Sequence, residues 1–156
     1  MAVAVLVLAL IAAAFLPRWW AHRIGGVADG SFTAGIAAGL ACGVAFTALP
    51  LAALRGVLRR HRSWTARFAF LLLAGLLAAP NLITLGIVVG TSKAAHAGER
   101  TMDVDAPGFR GATLVGAVLG TLLTLLLWSL LAGRRRRLRE IARLKDELRQ
   151  QAEPSA

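Results

Sequence analysis

Long apolar runs separated by short polar stretches dominate the pattern of this chain. A membrane-spanning helix needs about 20 apolar residues, whereas a barrel strand alternates apolar and polar positions over about ten residues. The runs here are continuous, so they predict helices. Four of them approach or meet the spanning length, at about residues 1–20, 31–54, 68–90 and 112–132.

The pattern therefore predicts an all-α membrane protein with four transmembrane helices and a short C-terminal cytoplasmic helix. The four-span domain covers residues 1–133, and a basic tail helix covers residues 134–156. The first span is the weakest, because Pro17 and Arg18 interrupt it. No Lys or Arg precedes its apolar residues, which favours an uncleaved span over a cleaved signal peptide.

The composition agrees with a chain solvated by lipid. Hydrophobic residues make up 57% of the chain and charged residues 17%, with a mean hydropathy of +0.66. A soluble domain carries about 25% charged residues. The single cysteine, Cys42, lies in an apolar run, cannot form an intrachain disulfide, and is interpreted as a packing residue.

The distribution of arginine predicts the orientation, because basic residues in short loops stay on the cytoplasmic side. The tail and the connection after the second span are the two basic segments, and with four spans they share one side. We therefore expect a multi-pass protein of the cell membrane with both termini cytoplasmic, and with Trp19 and Trp20 at the outer boundary. The basic connection contains Arg55, Arg59, Arg60, Arg62 and Arg67.

Small residues recur every four positions in two of the predicted spans. Helices in lipid gain little from burying apolar surface against each other, and small residues instead let their backbones approach closely. Either the two ridges pack against each other within the chain, or one of them docks a second copy or a partner protein. The second span carries Ser31, Gly35, Gly39, Gly43 and Thr47, and the fourth carries Ala112, Gly116, Gly120 and Thr124.

The third span contains an intramembrane polar group beside a proline. Pro80 removes a backbone donor and predicts a kink. An unpaired amide is costly in hydrocarbon, so Asn81 must face another helix, water or a ligand, and Thr84 lies on a neighbouring face. Two interpretations stay open: an interhelical hydrogen bond that relieves the kink, or a hinge and polar lining of a small pathway.

The tail begins with an arginine cluster that would attract anionic lipid, at about 1 kcal/mol per basic residue near the surface. A simple stop-transfer anchor would also explain the cluster. Apolar residues then recur at helical spacing, so the tail helix either extends the fourth span or lies on the membrane. No aromatic residues interleave with the cluster, and nucleic acid is not an expected partner. The cluster comprises Arg134, Arg135, Arg136, Arg137 and Arg139.

Residues 91–111 form the longest connection between spans and are predicted to be a solvated outer loop. Pro107 and Gly108 predict a turn before the fourth span, with Phe109 as an interfacial anchor. Metal-ligand side chains occur in this stretch, but their spacing matches no metal motif, and no metal site is predicted. These side chains are His96, Glu99, Asp103 and Asp105.

Catalytic and nucleotide-binding motifs are missing, and so are ionisable residues inside the last three spans. We therefore expect neither an enzyme nor a cofactor. The main hypothesis is an accessory or scaffold subunit of a membrane complex, which acts by helix–helix association. Its partners would be anionic lipid, a second copy or another membrane protein. The alternative is a permease or channel component with a pathway near the third span.

The segments PNLITLGIVVG and AAHAGERTMDVDAPGFRG, with the glycine-bearing span that follows, resemble small four-span membrane proteins of actinobacteria. Such proteins are sometimes labelled permease. The resemblance covers roughly residues 70–130 and implies a four-span membrane protein. Because these motifs have no assigned chemical role, the resemblance implies no active site.

Overall fold

A computed structural model describes residues 2–58 and 63–152. Within these residues the chain forms helices joined by turns. The helices are α1 (Ala2–Ala28), α2 (Phe32–Val57), α3 (Trp64–Val89), α4 (Lys93–Asp105) and α5 (Phe109–Ala152). The chain divides into two compact units, of which the first ends at Thr121 and the second begins at Leu122.

Three helical segments of the described chain are long and apolar enough to cross a membrane. They are α2, α3 and the Phe109–Lys145 part of α5. The four-span count is not confirmed, since α1 is not among them. The first helix is longer than the predicted span at about residues 1–20, because α1 continues to Ala28 and only a short turn separates it from α2.

Serine side chains mark where three of the helices begin. Ser31, Ser63 and Ser92 each accept a hydrogen bond from the backbone N–H three residues on, which satisfies a donor that the first helical turn leaves unpaired. Proline does not interrupt the helices: α2 runs through Pro50 and α3 runs through Pro80 without a break in helical structure.

The predicted solvated loop at residues 91–111 is wrong, because most of it forms α4. Small and apolar residues at helical spacing, Ala94, Ala95, Gly98 and Met102, are buried on one face of this helix. Gly98 lets α4 approach α1 closely, since a Cβ there would stand 3.0 Å from the carbonyl oxygen of Pro17. The hydropathy of the stretch did not reveal this face, because its buried residues are mostly small and most of its other residues are polar.

The hydrophobic core of the first unit lies where four helices meet. Phe109, Ile87 and Met102 are its largest fully buried side chains. The expectation that Phe109 anchors the interface is wrong, since its side chain is 0% exposed. The predicted turn is found between α4 and α5, where Gly108 has a φ of +81°. The core cluster comprises Ala21, Ile24, Ala28, Ile87, Met102, Ala106 and Phe109.

The turn between α1 and α2 is fixed to the end of α4. Asp29 and Gly30 both have positive φ values, 48° and 71°. The Gly30 N–H donates to the carbonyl oxygen of Asp105 over 2.8 Å. This bond places the α1–α2 connection and the α4 segment at the same end of the first unit.

The second unit is described by itself. Its residues up to Ala152 are helical and belong to α5, and the expected short C-terminal cytoplasmic helix is not confirmed. Arg143 donates to Glu147 over 3.0 Å, an exposed pair of the kind that adds little stability. Residues 153–156 lie outside the described chain. The exposed apolar residues of the tail are Leu138, Ile141, Leu144 and Leu148.

Candidate functional site

The two glycine ridges meet within the chain, at the contact between α2 and α5. A Cβ on Gly39 would stand 2.8 Å from the Ala112 Cβ, and a Cβ on Gly116 would stand 2.6 Å from the Leu40 carbonyl oxygen. At the two ends of the contact, Gly35 meets the carbonyl of Pro107 and Gly120 approaches Val44. Backbone therefore touches backbone along the ridges.

The first alternative for the ridges, packing within one chain, is the arrangement that the structure contains. Cβ atoms cannot be added on this surface without moving a helix axis, because most of the opposing atoms are backbone. The surfaces of both ridges are consequently occupied by each other, and we do not propose that either ridge docks a partner.

Asn81 lies between α3 and α2. Its Nδ2 donates to the Thr47 hydroxyl over 2.9 Å and to the Gly43 carbonyl over 3.3 Å. This is the interhelical hydrogen bond of the first interpretation. The Oδ1 of the same amide is buried and has no hydrogen-bond partner among the described residues.

Thr84 connects α3 to α1. The Trp20 indole Nε1 donates to the Thr84 hydroxyl over 2.9 Å, and that hydroxyl donates to the Pro80 carbonyl over 3.0 Å. Trp20, expected at the membrane boundary, thus makes an interhelical contact. Both polar side chains of α3 that the sequence singled out are used to hold helices together.

A groove of about 510 Å³ lies beside these contacts, between α3 and α5. Its exposed rims are apolar: Leu82 and Leu85 stand on α3, and Leu114, which is 66% exposed, stands on α5. Its deeper lining includes the hydroxyl-bearing residues Thr47 and Thr113. The remaining lining residues are Asn81, Thr84, Val88, Asp103, Ala106, Gly108, Arg110, Gly111 and Ala117.

One end of the groove carries a charged cluster, which we call the mouth and define as Glu99, Asp103 and Arg110. The Arg110 guanidinium donates to a carboxylate oxygen of Glu99 and to one of Asp103, each over 2.6 Å. His96 Nδ1 lies 3.5 Å from the other oxygen of Glu99. The Asp103 side chain is 55% exposed, and that of Arg110 is 24% exposed.

Sequence reasoning missed the mouth because residues 91–111 were predicted to be a solvated loop. Glu99 and Asp103 are four residues apart, so a helix places them on one face, and this spacing was the available signal. The hydrogen bond from Arg110 holds the pKa of Glu99 below its ordinary value, and the hydrogen bond with His96 acts in the same direction.

Among the described residues, neither a metal-binding group nor the arginine cluster of the tail contributes to the groove. Across residues 2–58 and 63–152 there is no group of three or more His, Cys, Asp or Glu side chains placed to hold a metal ion. The arginine cluster at 134–139 belongs to the second unit and contributes nothing to the groove lining. Arg59, Arg60 and Arg62 lie outside the described residues.

No family model, curated protein or solved structure matches this chain. The resemblance to four-span actinobacterial proteins thus gains no support. The helices define the class of the protein, a small helical membrane protein with three candidate spans.

Replacing Gly43 by alanine should destabilise the protein by about 1–3 kcal/mol, because the new Cβ would stand 2.8 Å from the Ala117 backbone nitrogen. The matched control is Gly75→Ala, since a Cβ at Gly75 meets nothing within 4 Å. The control should be neutral or stabilising by about 0.5–1 kcal/mol. Unfolding in mixed micelles, followed by circular dichroism, measures both. Equal losses would contradict the backbone contact.

The pairing of Glu99 predicts sensitivity to acid. Its pKa is lowered in the fold from 4.5, so its stabilising contribution is present above that value and disappears as the pH falls through the folded-state pKa. Glu99→Gln should lower the thermal midpoint at pH 7 and flatten its fall between about pH 5 and pH 3. Glu140→Gln, in the second unit, is the control. An unchanged acid profile in Glu99→Gln would refute the role of this pair.

Proposed function

We propose that this protein binds an amphiphilic molecule in the groove between α3 and α5 and acts by holding it. The observation that carries this proposal is a cavity of about 510 Å³ with exposed apolar rims and a few polar side chains in its lining. Ligand sites typically measure about 300–1,000 Å³ and combine an apolar lining with a few polar groups. The groove meets both criteria.

The rims favour entry of the ligand from the bilayer. Leu82, Leu85 and Leu114 are more than half exposed on helices apolar enough to span a membrane. In a bilayer these side chains contact acyl chains, so an apolar molecule reaches the groove without crossing water. A permease component with a pathway at α3 is the related alternative. The lining favours a binding site, because it runs from the mouth only as far as Thr47, Asn81 and Ala117.

The layout that accompanies this function is a four-span protein of the cell membrane with both termini cytoplasmic. The bond from Gly30 to Asp105 puts the α1–α2 turn and α4 on one side, as this layout requires. The cytoplasmic location of the termini rests on the distribution of arginine. A Ser31→Cys substitution in a Cys42→Ala background tests the layout. We expect a membrane-impermeant thiol reagent to label this variant in intact cells. Labelling only after the cells are opened would contradict it.

Filling the groove should block binding. Leu114→Trp places a large side chain on the rim, whereas Leu72→Trp adds the same side chain to α3 at a position outside the groove that is 61% exposed. We expect a diazirine-bearing decanol, photolysed with the protein in lipid nanodiscs, to label groove residues in the wild type. Leu114→Trp should lose this labelling and Leu72→Trp should keep it. Equal labelling of all three proteins would overturn the proposal.

A second candidate function is that of an accessory subunit that associates through its tail. The supporting observation is a helix in the second unit that joins the cluster of Arg134–Arg137 and Arg139 to exposed apolar residues at helical spacing. Five arginines near the membrane surface attract anionic lipid. Two such helices side by side would repel each other, which disfavours a second copy of the chain as the partner. Anionic lipid is therefore the first partner that we propose for this surface.

Substituting the five cluster arginines with glutamine should reduce retention of phosphatidylglycerol relative to phosphatidylcholine. Native mass spectrometry of the protein released from mixed micelles measures this ratio. Arg143→Gln, which removes one charge outside the cluster, should change it little. Identical lipid retention by the fivefold variant and the wild type would refute the anionic-lipid surface.

A further inference from the structure

We propose that the groove selects a lipophilic cation, an apolar molecule that carries an amine or quaternary ammonium group at one end. The cationic group would lie at Asp103, and the apolar body would lie along α3 and α5. This inference rests on the proposed function and names the chemical class of its ligand.

The charge balance of the mouth favours a cation. Two carboxylates, those of Glu99 and Asp103, share the single guanidinium of Arg110, which leaves an excess of one negative charge. His96 approaches Glu99, the carboxylate that does not line the groove. Asp103 does line the groove, is 55% exposed and binds Arg110 through only one oxygen. Its second oxygen is therefore available to an ammonium group.

An anionic headgroup fits this site poorly. Both terminal nitrogens of Arg110 already donate to carboxylates, at 2.6 Å each. To bind Arg110, an anion would have to displace the carboxylate of Glu99 or Asp103. The displaced carboxylate would then lack its ion-pair partner and would stand beside a second negative charge. A neutral headgroup is neither repelled nor attracted by the carboxylates of the mouth. It therefore serves as the reference against which a cationic headgroup is compared.

The apolar body has a defined place. From Arg110 to Ala117 the groove follows two turns of α5, about 10 Å at 1.5 Å per residue. Over this length Leu114 on α5 and Leu85 and Val88 on α3 supply the apolar contacts. A medium-length hydrocarbon chain that carries its charge at the mouth matches this arrangement.

The test compares three photoactivatable probes with the same ten-carbon chain, which end in an ammonium, a hydroxyl or a carboxylate group. The purified full chain is studied in nanodiscs of zwitterionic lipid, and labelling of groove residues is divided by labelling at Leu72 to correct for partitioning. We expect the ammonium probe to label the groove about fivefold more than the alcohol, as for a partly exposed ion pair. Asp103→Asn should reduce this ratio to about one.

The Asp103→Asn variant should keep its thermal midpoint within a few degrees, because Arg110 retains its ion pair with Glu99. The matched control is Asp29→Asn, which removes one exposed carboxylate outside the groove. Equal labelling by ammonium and alcohol, or preference for the carboxylate, would overturn the cation selectivity while leaving the groove a binding site. Absence of groove labelling by all three probes would overturn both the selectivity and the proposed function.

Discussion

The close approach of the α2 and α5 backbones is the constraint on which the rest of the first unit depends. Inside a bilayer, burial of apolar side chains does not distinguish protein from lipid, so helices associate through packing and hydrogen bonds. Glycines on both helices let main chain meet main chain. Gly43 has two roles, since it contacts Gly116 on α5 and its carbonyl accepts a hydrogen bond from Asn81 on α3.

The groove follows from this arrangement. One helix, α2, supports both neighbours: its glycine ridge fits α5, and Gly43 and Thr47 bind the amide of α3. The cavity remains between the two supported helices, with Thr47 in its lining. At one end α4 closes onto α5 through Arg110, and the same ion pairs leave a carboxylate facing the cavity. The binding proposed for the groove and the stability of the first unit therefore depend on the same few contacts.

The sequence identified residues that need a close contact, but it left their partners open. An amide in hydrocarbon needs another helix, water or a ligand, and Asn81 has its partners on α2. Glycines at four-residue spacing predict a close-packing surface without saying whether its partner lies in the same chain, as it does for α2 and α5. The sequence did not predict α4, because Ala94, Ala95 and Gly98 mark a buried face by being small rather than by being apolar. It also did not predict the mouth, which depends on α4 bringing Glu99 and Asp103 to Arg110. The number of spans depends on α1, whose second half packs in the core.

The most direct test of the account is the distance between Gly43 and Gly116 in a bilayer. The Gly43 Cα lies 3.1 Å from the place that a Cβ on Gly116 would occupy, so the two Cα atoms are neighbours. Solid-state NMR of glycine-labelled protein in lipid should give a direct Cα–Cα cross-peak between these residues. The peak should persist when labelled chains are diluted into unlabelled ones, because the contact is within one chain. A missing peak, or one that disappears on dilution, would contradict the account.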